Sequence, residues 1–143
     1  MSIEQLPAWA RDQLGTARVA RLAFLDNEDR PRVLPITFAV AKDAVWSAID
    51  AKPKRTAEPA RVAFLRRNPR AALCVDVYDD DWSQLAWVQL LGSVDVLDLE
   101  AGDVGLEALV NRYAPYRDQP PPGPLLRLEV ERALSWRAAD HSP

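Results

Sequence analysis

Ile3, Leu6, Trp9, Ala10 and Leu14 recur at three- and four-residue spacings ahead of Gly15, the pattern of a short amphipathic helix over residues 1–15 with a glycine stop. Residues 17–25 then read as a strand carrying Val19, Leu22, Phe24 and Leu25, and the polar stretch 26–31 supplies the turn of a hairpin. The second arm, 32–40, has Pro35 in its middle. Proline has no N–H to give to a ladder, so this strand must lie at an edge or be interrupted at Pro35. A tight connection at 41–43 leads into an apolar run at 44–49. The result is a meander of three strands, which curls readily into a barrel.

The second half repeats the alternation of strand and helix. Residues 56–67 carry Ala57, Ala60, Val62, Ala63, Phe64 and Leu65, which predicts a helix capped by Thr56 and ended by Asn68 and Pro69. A strand at 71–78, an acidic loop at 79–83 and a long run at 84–99 follow. Gly92 inside that run predicts a bulge or a close backbone approach. Residues 103–114 read as a second amphipathic helix, 115–124 as a proline-rich loop, 125–131 and 134–138 as the last strands, and 139–143 as a polar tail. The chain is therefore mainly β with peripheral helices, an α+β protein built on a barrel.

At 143 residues the chain suits one domain, 1–143. A formal charge of −3 and a pI near 5.2 argue against a general nucleic-acid binder, which would carry a basic face across the domain. Cys74 is the only cysteine and lies in an apolar run, as a small buried residue would. The sequence holds neither an 18-residue apolar stretch nor a signal-like start, so the expectation is a cytoplasmic protein without membrane partners. His141, the one histidine, falls in the polar tail, which leaves little basis for histidine catalysis or a metal site. The Asp79–Asp81 triplet matches no metal-ligand spacing and reads as a solvated or capping turn.

One segment departs from the acidic average. Asp50-Ala-Lys-Pro-Lys-Arg55 places Lys52, Lys54 and Arg55 within four positions, after an apolar strand and before a helix, in a protein with three lysines in all. Ammonium and guanidinium groups beside the free N–H groups of a helix start suit tetrahedral oxyanions, so the run reads as a phosphate site or else as a solvated basic turn.

Taken in order, five segments resemble a known family: Arg32-Val-Leu-Pro-Ile-Thr-Phe38, the basic hexapeptide, Asn68-Pro69, Val75-Asp-Val-Tyr-Asp-Asp-Asp-Trp-Ser83 and Arg112-Tyr-Ala-Pro-Tyr-Arg117. The resemblance, over about residues 15–138, is to the flavin- and deazaflavin-dependent oxidoreductases of the pyridoxamine 5′-phosphate oxidase-like superfamily. Within it, the chain is similar to the small branch that uses coenzyme F420. The resemblance implies a six-stranded, FMN-binding split barrel-like fold, a homodimer, and a cofactor groove between the subunits. It further implies that the backbone of Pro35, Ile36 and Thr37 lies against the cofactor ring. Ser47, Ile49 and Asp50 would run beside the ribityl chain, and Lys52, Lys54 and Arg55 would take the phosphate. Where relatives often carry arginine and histidine, this chain has Gln89 and Arg32.

F420 extends past its phosphate into a tail of carboxylates, and Lys52 with Arg61 can continue a positive track along it. FMN, which ends in one phosphate, is the alternative cofactor. Trp82, Trp87, Tyr113, Tyr116 and Trp136 are candidates to line the groove, or else core and dimer contacts. The cofactor would carry the hydride chemistry, which explains why no nucleophile or metal cluster stands out. Two further readings are a cofactor carrier without a substrate and, with least support, a nucleic-acid-binding barrel, which would need a stacking platform among the basic residues.

Overall fold

The computed structural model describes residues 2–49 and 59–141. Among them, seven strands form one antiparallel sheet in the order β2-β1-β5-β6-β7-β4-β3. In chain order these are β1 (Ala20–Leu25), β2 (Pro31–Ile36), β3 (Ala39–Ala41), β4 (Ala44–Ala48), β5 (Arg70–Val77), β6 (Ala86–Leu97) and β7 (Leu125–Arg137). Helix α1 (Ala8–Thr16) precedes the sheet, α2 (Ala60–Arg67) links β4 to β5, and α3 (Asp103–Arg112) and α4 (Ala114–Asp118) link β6 to β7.

The resemblance implies six strands, and the described residues form seven because one of them is interrupted. The anticipated strand 32–40 is two strands, because the chain leaves the ladder at Thr37 and Phe38. Pro35 stays in β2 opposite Arg21, on the edge position that a residue without an N–H tolerates, and the interruption falls just beyond it. β2 and β3 lie at opposite ends of the strand order, yet two residues separate them. So short a link spans on the order of 10 Å, so the open sheet must curl until its edges nearly meet, which makes a split barrel.

Gly92 behaves as the sequence predicts. The β6–β7 register shifts between Leu91 and Gly92, and a Cβ at Gly92 would overlap the Glu129 carbonyl. The bulge lets the two longest strands serve both halves of the sheet: β5 pairs with the first part of β6, and β4 with the first part of β7. Leu22, Phe24, Leu73, Val75, Val88, Leu90, Leu126 and Leu128 fill the interior, and Leu14 of α1 closes one side. A second cluster holds Trp46, Leu109, Tyr116 and Leu125 between β4, β7 and the helices α3 and α4. Gly105 is required there, since a Cβ would run into the Trp46 ring.

Other boundaries differ locally. Residues 3–5 form a 3₁₀ turn, and α1 runs through Gly15 to Thr16, so Gly15 is no stop. Thr16 Oγ1 instead donates back to the Asp12 carbonyl, and the Ala17 N–H to that of Gln13. Pro59 stands at the N-cap of α2, so Thr56, which lies outside the described residues, is not its cap. The strands expected at 125–131 and 134–138 are the single β7, held by pairing with β6 along its length. The proline-rich loop opens with α4, whose Pro115 sits in the first turn where a missing N–H costs little. Among the described residues no helix is long and apolar enough to cross a membrane.

Candidate functional site

The break at Thr37 and Phe38 gathers side chains from distant parts of the chain. Ser47, buried on β4, donates its hydroxyl to the Thr37 carbonyl at 2.7 Å. The Phe38 ring is fully buried. Its N–H donates to the Tyr113 hydroxyl at 3.1 Å, and that hydroxyl lies 2.9 Å from both the Phe38 and the Arg18 carbonyls, to one of which it can donate at a time. Thr37 Oγ1 is 2.7 Å from the Tyr116 hydroxyl. The two tyrosine rings meet edge to face with centroids 5.7 Å apart. The junction between α3 and α4 thus supplies the hydrogen bonds that the broken ladder cannot.

Two arginines reinforce it. Arg112 donates to the carbonyls of Leu14 and Ala17 at the end of α1, and its guanidinium sits 4.7 Å from the Phe38 ring centroid. Arg18 donates to the Arg112 carbonyl at 3.0 Å, and both guanidiniums lie over Tyr113, at 5.5 and 5.6 Å. Burial pushes the Arg112 pKa below its ordinary value, which still leaves the group charged at neutral pH.

Of the residues singled out by sequence, the structure brings Thr37 and Ser47 into direct contact and sets Ile36 beside them in the core. Pro35 is exposed on the outer face of β2. Ile49, at the end of β4, is buried and donates its N–H to the Pro124 carbonyl at 3.3 Å. Asp50, Lys52, Lys54 and Arg55 lie outside the described residues. The polar groups of Thr37, Phe38 and Ser47 are therefore occupied by internal bonds, while Pro35 faces outward. Arg18 and Arg112 were not anticipated. Their one sequence signal was the Arg112–Arg117 motif, which does not reveal a partner at Phe38.

The barrel interior leaves little space. Leu22, Ile36, Val45, Ser47, Leu73 and Leu128 are among the residues around a void of about 10 Å³, at the lower limit for one ordered water. That void has no room for a ring-sized ligand. The outer face offers Val33, Ala23, Ala72 and Leu91 in register across β2, β1, β5 and β6, with Val33 61% exposed. Ala23, Ala72 and Leu91 also border a shallow cleft of about 300 Å³ that reaches Pro31 and Arg70. Beside this row, Arg21 stands between Pro35 and Cys74, whose thiol pKa is raised by burial first and then by Asp76.

At the far end of β5, Tyr78 and Trp82 are both more than two-thirds exposed. The acidic loop between them is a capping turn: Asp79 accepts the Asp81 N–H, and Asp81 accepts the N–H and hydroxyl of Ser83. Arg61, in the first turn of α2, has a buried Nε without a hydrogen-bond partner among the described residues.

The family model described as pyridoxamine 5′-phosphate oxidase matches residues 6–137. No curated protein matches the sequence. Among solved structures, a conserved hypothetical protein of Mycobacterium tuberculosis superposes with a TM-score of 0.78 at 21% identity, over 97% of this chain and 89% of that one. An FAD-binding protein of Mesorhizobium loti gives 0.67 at 21% identity, over 91% and 94%. The heme storage protein HutZ of Vibrio cholerae gives 0.67 at 15% identity, over 89% and 90%. At these identities the likeness is one of fold.

Proposed function

Because the chain belongs to the pyridoxamine 5′-phosphate oxidase family, we propose that it is an oxidoreductase that binds the deazaflavin coenzyme F420 on the outside of its barrel. Its reaction is hydride transfer between that cofactor and a small organic substrate. The observation that carries the reading is a cation track. Lys52, Lys54 and Arg55 precede α2 in sequence, and Arg61 in its first turn has a buried Nε without a hydrogen-bond partner among the described residues. Such groups fit a phosphodiester followed by carboxylates, and the positive end of α2 adds to them.

When bound, the cofactor supplies the hydride chemistry. This chain's residues bind and orient it. Lys52, Lys54 and Arg55 hold its anionic end, and Pro35, on an edge strand with no N–H of its own, presents a flat outward surface beside the split. Tyr113, Tyr116 and Ser47 keep the break between β2 and β3 rigid, so that surface does not shift when a ring docks.

The working unit is a homodimer. The row Val33, Ala23, Ala72 and Leu91 is apolar across four strands, and a second copy would cover it and wall the groove on its open side.

A flavin is the second reading, favoured by the fold's likeness to an FAD-binding protein. Heme has less support here: His141, the only histidine, stacks on Trp136 with centroids 5.7 Å apart in the C-terminal 3₁₀ turn. Titration of the protein with F420 and with FMN, by fluorescence or calorimetry, decides between the two. F420 should bind more tightly. An FMN affinity higher by about tenfold, or 1.4 kcal/mol, would replace the deazaflavin with a flavin.

A further inference from the structure

The turn between β3 and β4 holds one residue that makes it expensive. Lys42 and Asp43 have φ of 52° and 57°, so both occupy the left-handed region of a two-residue hairpin turn. Glycine, asparagine and aspartate make that turn with little strain, whereas a residue such as lysine costs roughly 1 kcal/mol. Asp43 has a structural reason to be there, since its Oδ1 accepts the Ile3 N–H at 3.1 Å and ties the N-terminus to the sheet. Lys42 has none: its side chain is exposed and makes no ion pair or hydrogen bond among the described residues.

Lys42 borders a cleft of about 300 Å³ shared with Asp43, Trp46, Arg127 and Glu129. The cross-strand pairs Ala44 with Glu129 and Trp46 with Arg127 put these side chains on one face of the sheet. Arg127 is already committed, with Nη2 2.7 Å from Asp95 and its guanidinium over the Trp46 ring at 5.8 Å. Glu129 is exposed and, like Lys42, makes no ion pair among the described residues. The cleft therefore offers one uncommitted cation and one uncommitted anion, above the edge of a buried indole.

We propose that this cleft binds a small zwitterion, a free α-amino acid, with the ligand carboxylate at Lys42 and its ammonium at Glu129. The volume lies at the small end of ligand pockets, which suits a molecule of that size. The lining carries two cations, Lys42 and Arg127, and two anions, Asp43 and Glu129, so a ligand bearing both charges is favoured over a simple anion or cation. The site uses none of the residues assigned to the cofactor and stands independently of that assignment.

The test is calorimetric titration of the full-length protein with the individual L-amino acids, their N-acetyl derivatives and their amides. At least one amino acid should bind with a submillimolar Kd, and both capped forms of it should bind about tenfold or more weakly. Lys42→Ala and Glu129→Gln, at exposed positions, should each weaken it by a similar factor, with cofactor binding and melting temperature unchanged. Absence of binding for every free amino acid up to about 10 mM, corresponding to a negligible occupancy advantage, would overturn the proposal. So would equal binding of the capped forms, or binding that neither substitution alters.

Discussion

The Tyr113 hydroxyl meets both backbone polar groups of Phe38, accepting from its N–H at 3.1 Å and lying 2.9 Å from its carbonyl, across 75 residues of sequence. One phenol thereby replaces the strand neighbour that Phe38 lacks. Tyr113→Phe keeps the ring but leaves a buried N–H without an acceptor, which costs about 1–3 kcal/mol. The urea midpoint should fall accordingly. Tyr116→Phe should cost less, because half-buried Thr37 can turn its hydroxyl toward water. A Tyr113→Phe protein as stable as the parent would remove the tie from the account of the split.

Gly92 and Gly15 should respond in opposite directions to alanine. At Gly92 the new methyl would meet the Glu129 carbonyl across the bulge, and the strands would have to separate at a cost of about 1–3 kcal/mol. At Gly15, inside α1, nothing lies within 4 Å of the added carbon, and alanine should gain about 0.5–1 kcal/mol from helix propensity. Paired thermal melts read both signs in one experiment.

Acid should weaken the β1–β2 hairpin through Asp26. Its carboxylate accepts the backbone N–H groups of Arg30 and Glu28 at 3.0 and 2.9 Å and the Arg30 Nε at 3.2 Å. The Arg30 N–H foremost holds its pKa below the ordinary aspartate value, against the opposing effect of burial. A lowered folded pKa contributes stability that is fully present above the unfolded value, near 4, and is lost as pH falls through the folded value. Unfolding midpoints measured from pH 6 downward should therefore drop less steeply for Asp26→Asn, which starts lower and lacks this titration.

The basic segment yields a graded set. Lys54→Ala and Arg55→Ala should each cost roughly tenfold or more in cofactor affinity, the worth of a charge-assisted contact to phosphate. Lys42→Ala should cost nothing there. Lys52→Ala should have an effect that grows with the number of glutamates in the tail and shrinks in high salt, since exposed contacts are screened. Affinities for short- and long-tailed F420 at two salt concentrations check this, and an effect blind to both would move Lys52 off the tail.

Association through the outer face can be tested at Leu91, in the middle of the apolar row. Light scattering should give twice the chain mass for the parent and the single mass for Leu91→Asp. A parent monomer at micromolar concentration would remove both the dimer and the idea that the groove lies between subunits.

The sequence exposed the local determinants well. Pro35 marked an edge, Gly92 a bulge, and alternating apolar residues the strands, because each of these acts within a few positions of itself. The break at Thr37 and Phe38 was harder to place, since Tyr113 and Tyr116 satisfy it from another part of the chain. Gly15 misled for a related reason: the end of α1 is fixed by Arg112 gripping the Leu14 and Ala17 carbonyls, and no local glycine signal competes with that. Of the candidate site, Thr37 and Ser47 were singled out through the resemblance, whereas their contact with each other and the roles of Arg18 and Arg112 depend on the tertiary fold alone.

The placement of β2 and β3 at opposite ends of the strand order also dictates a sequence of events in synthesis. The β3–β4 hairpin has one other strand to pair with, β7, the last to be made. Until the ribosome has released β7, the edge of β4 that faces it has no strand partner, and the nascent chain carries an unfinished hairpin that a neighbouring nascent chain could capture. The cylinder closes only when the C-terminal strand arrives, so folding is governed by its longest-range pairing, in the slow regime of such topologies. A chain ending after α4 should accordingly stay bound to chaperones instead of folding into a shorter barrel.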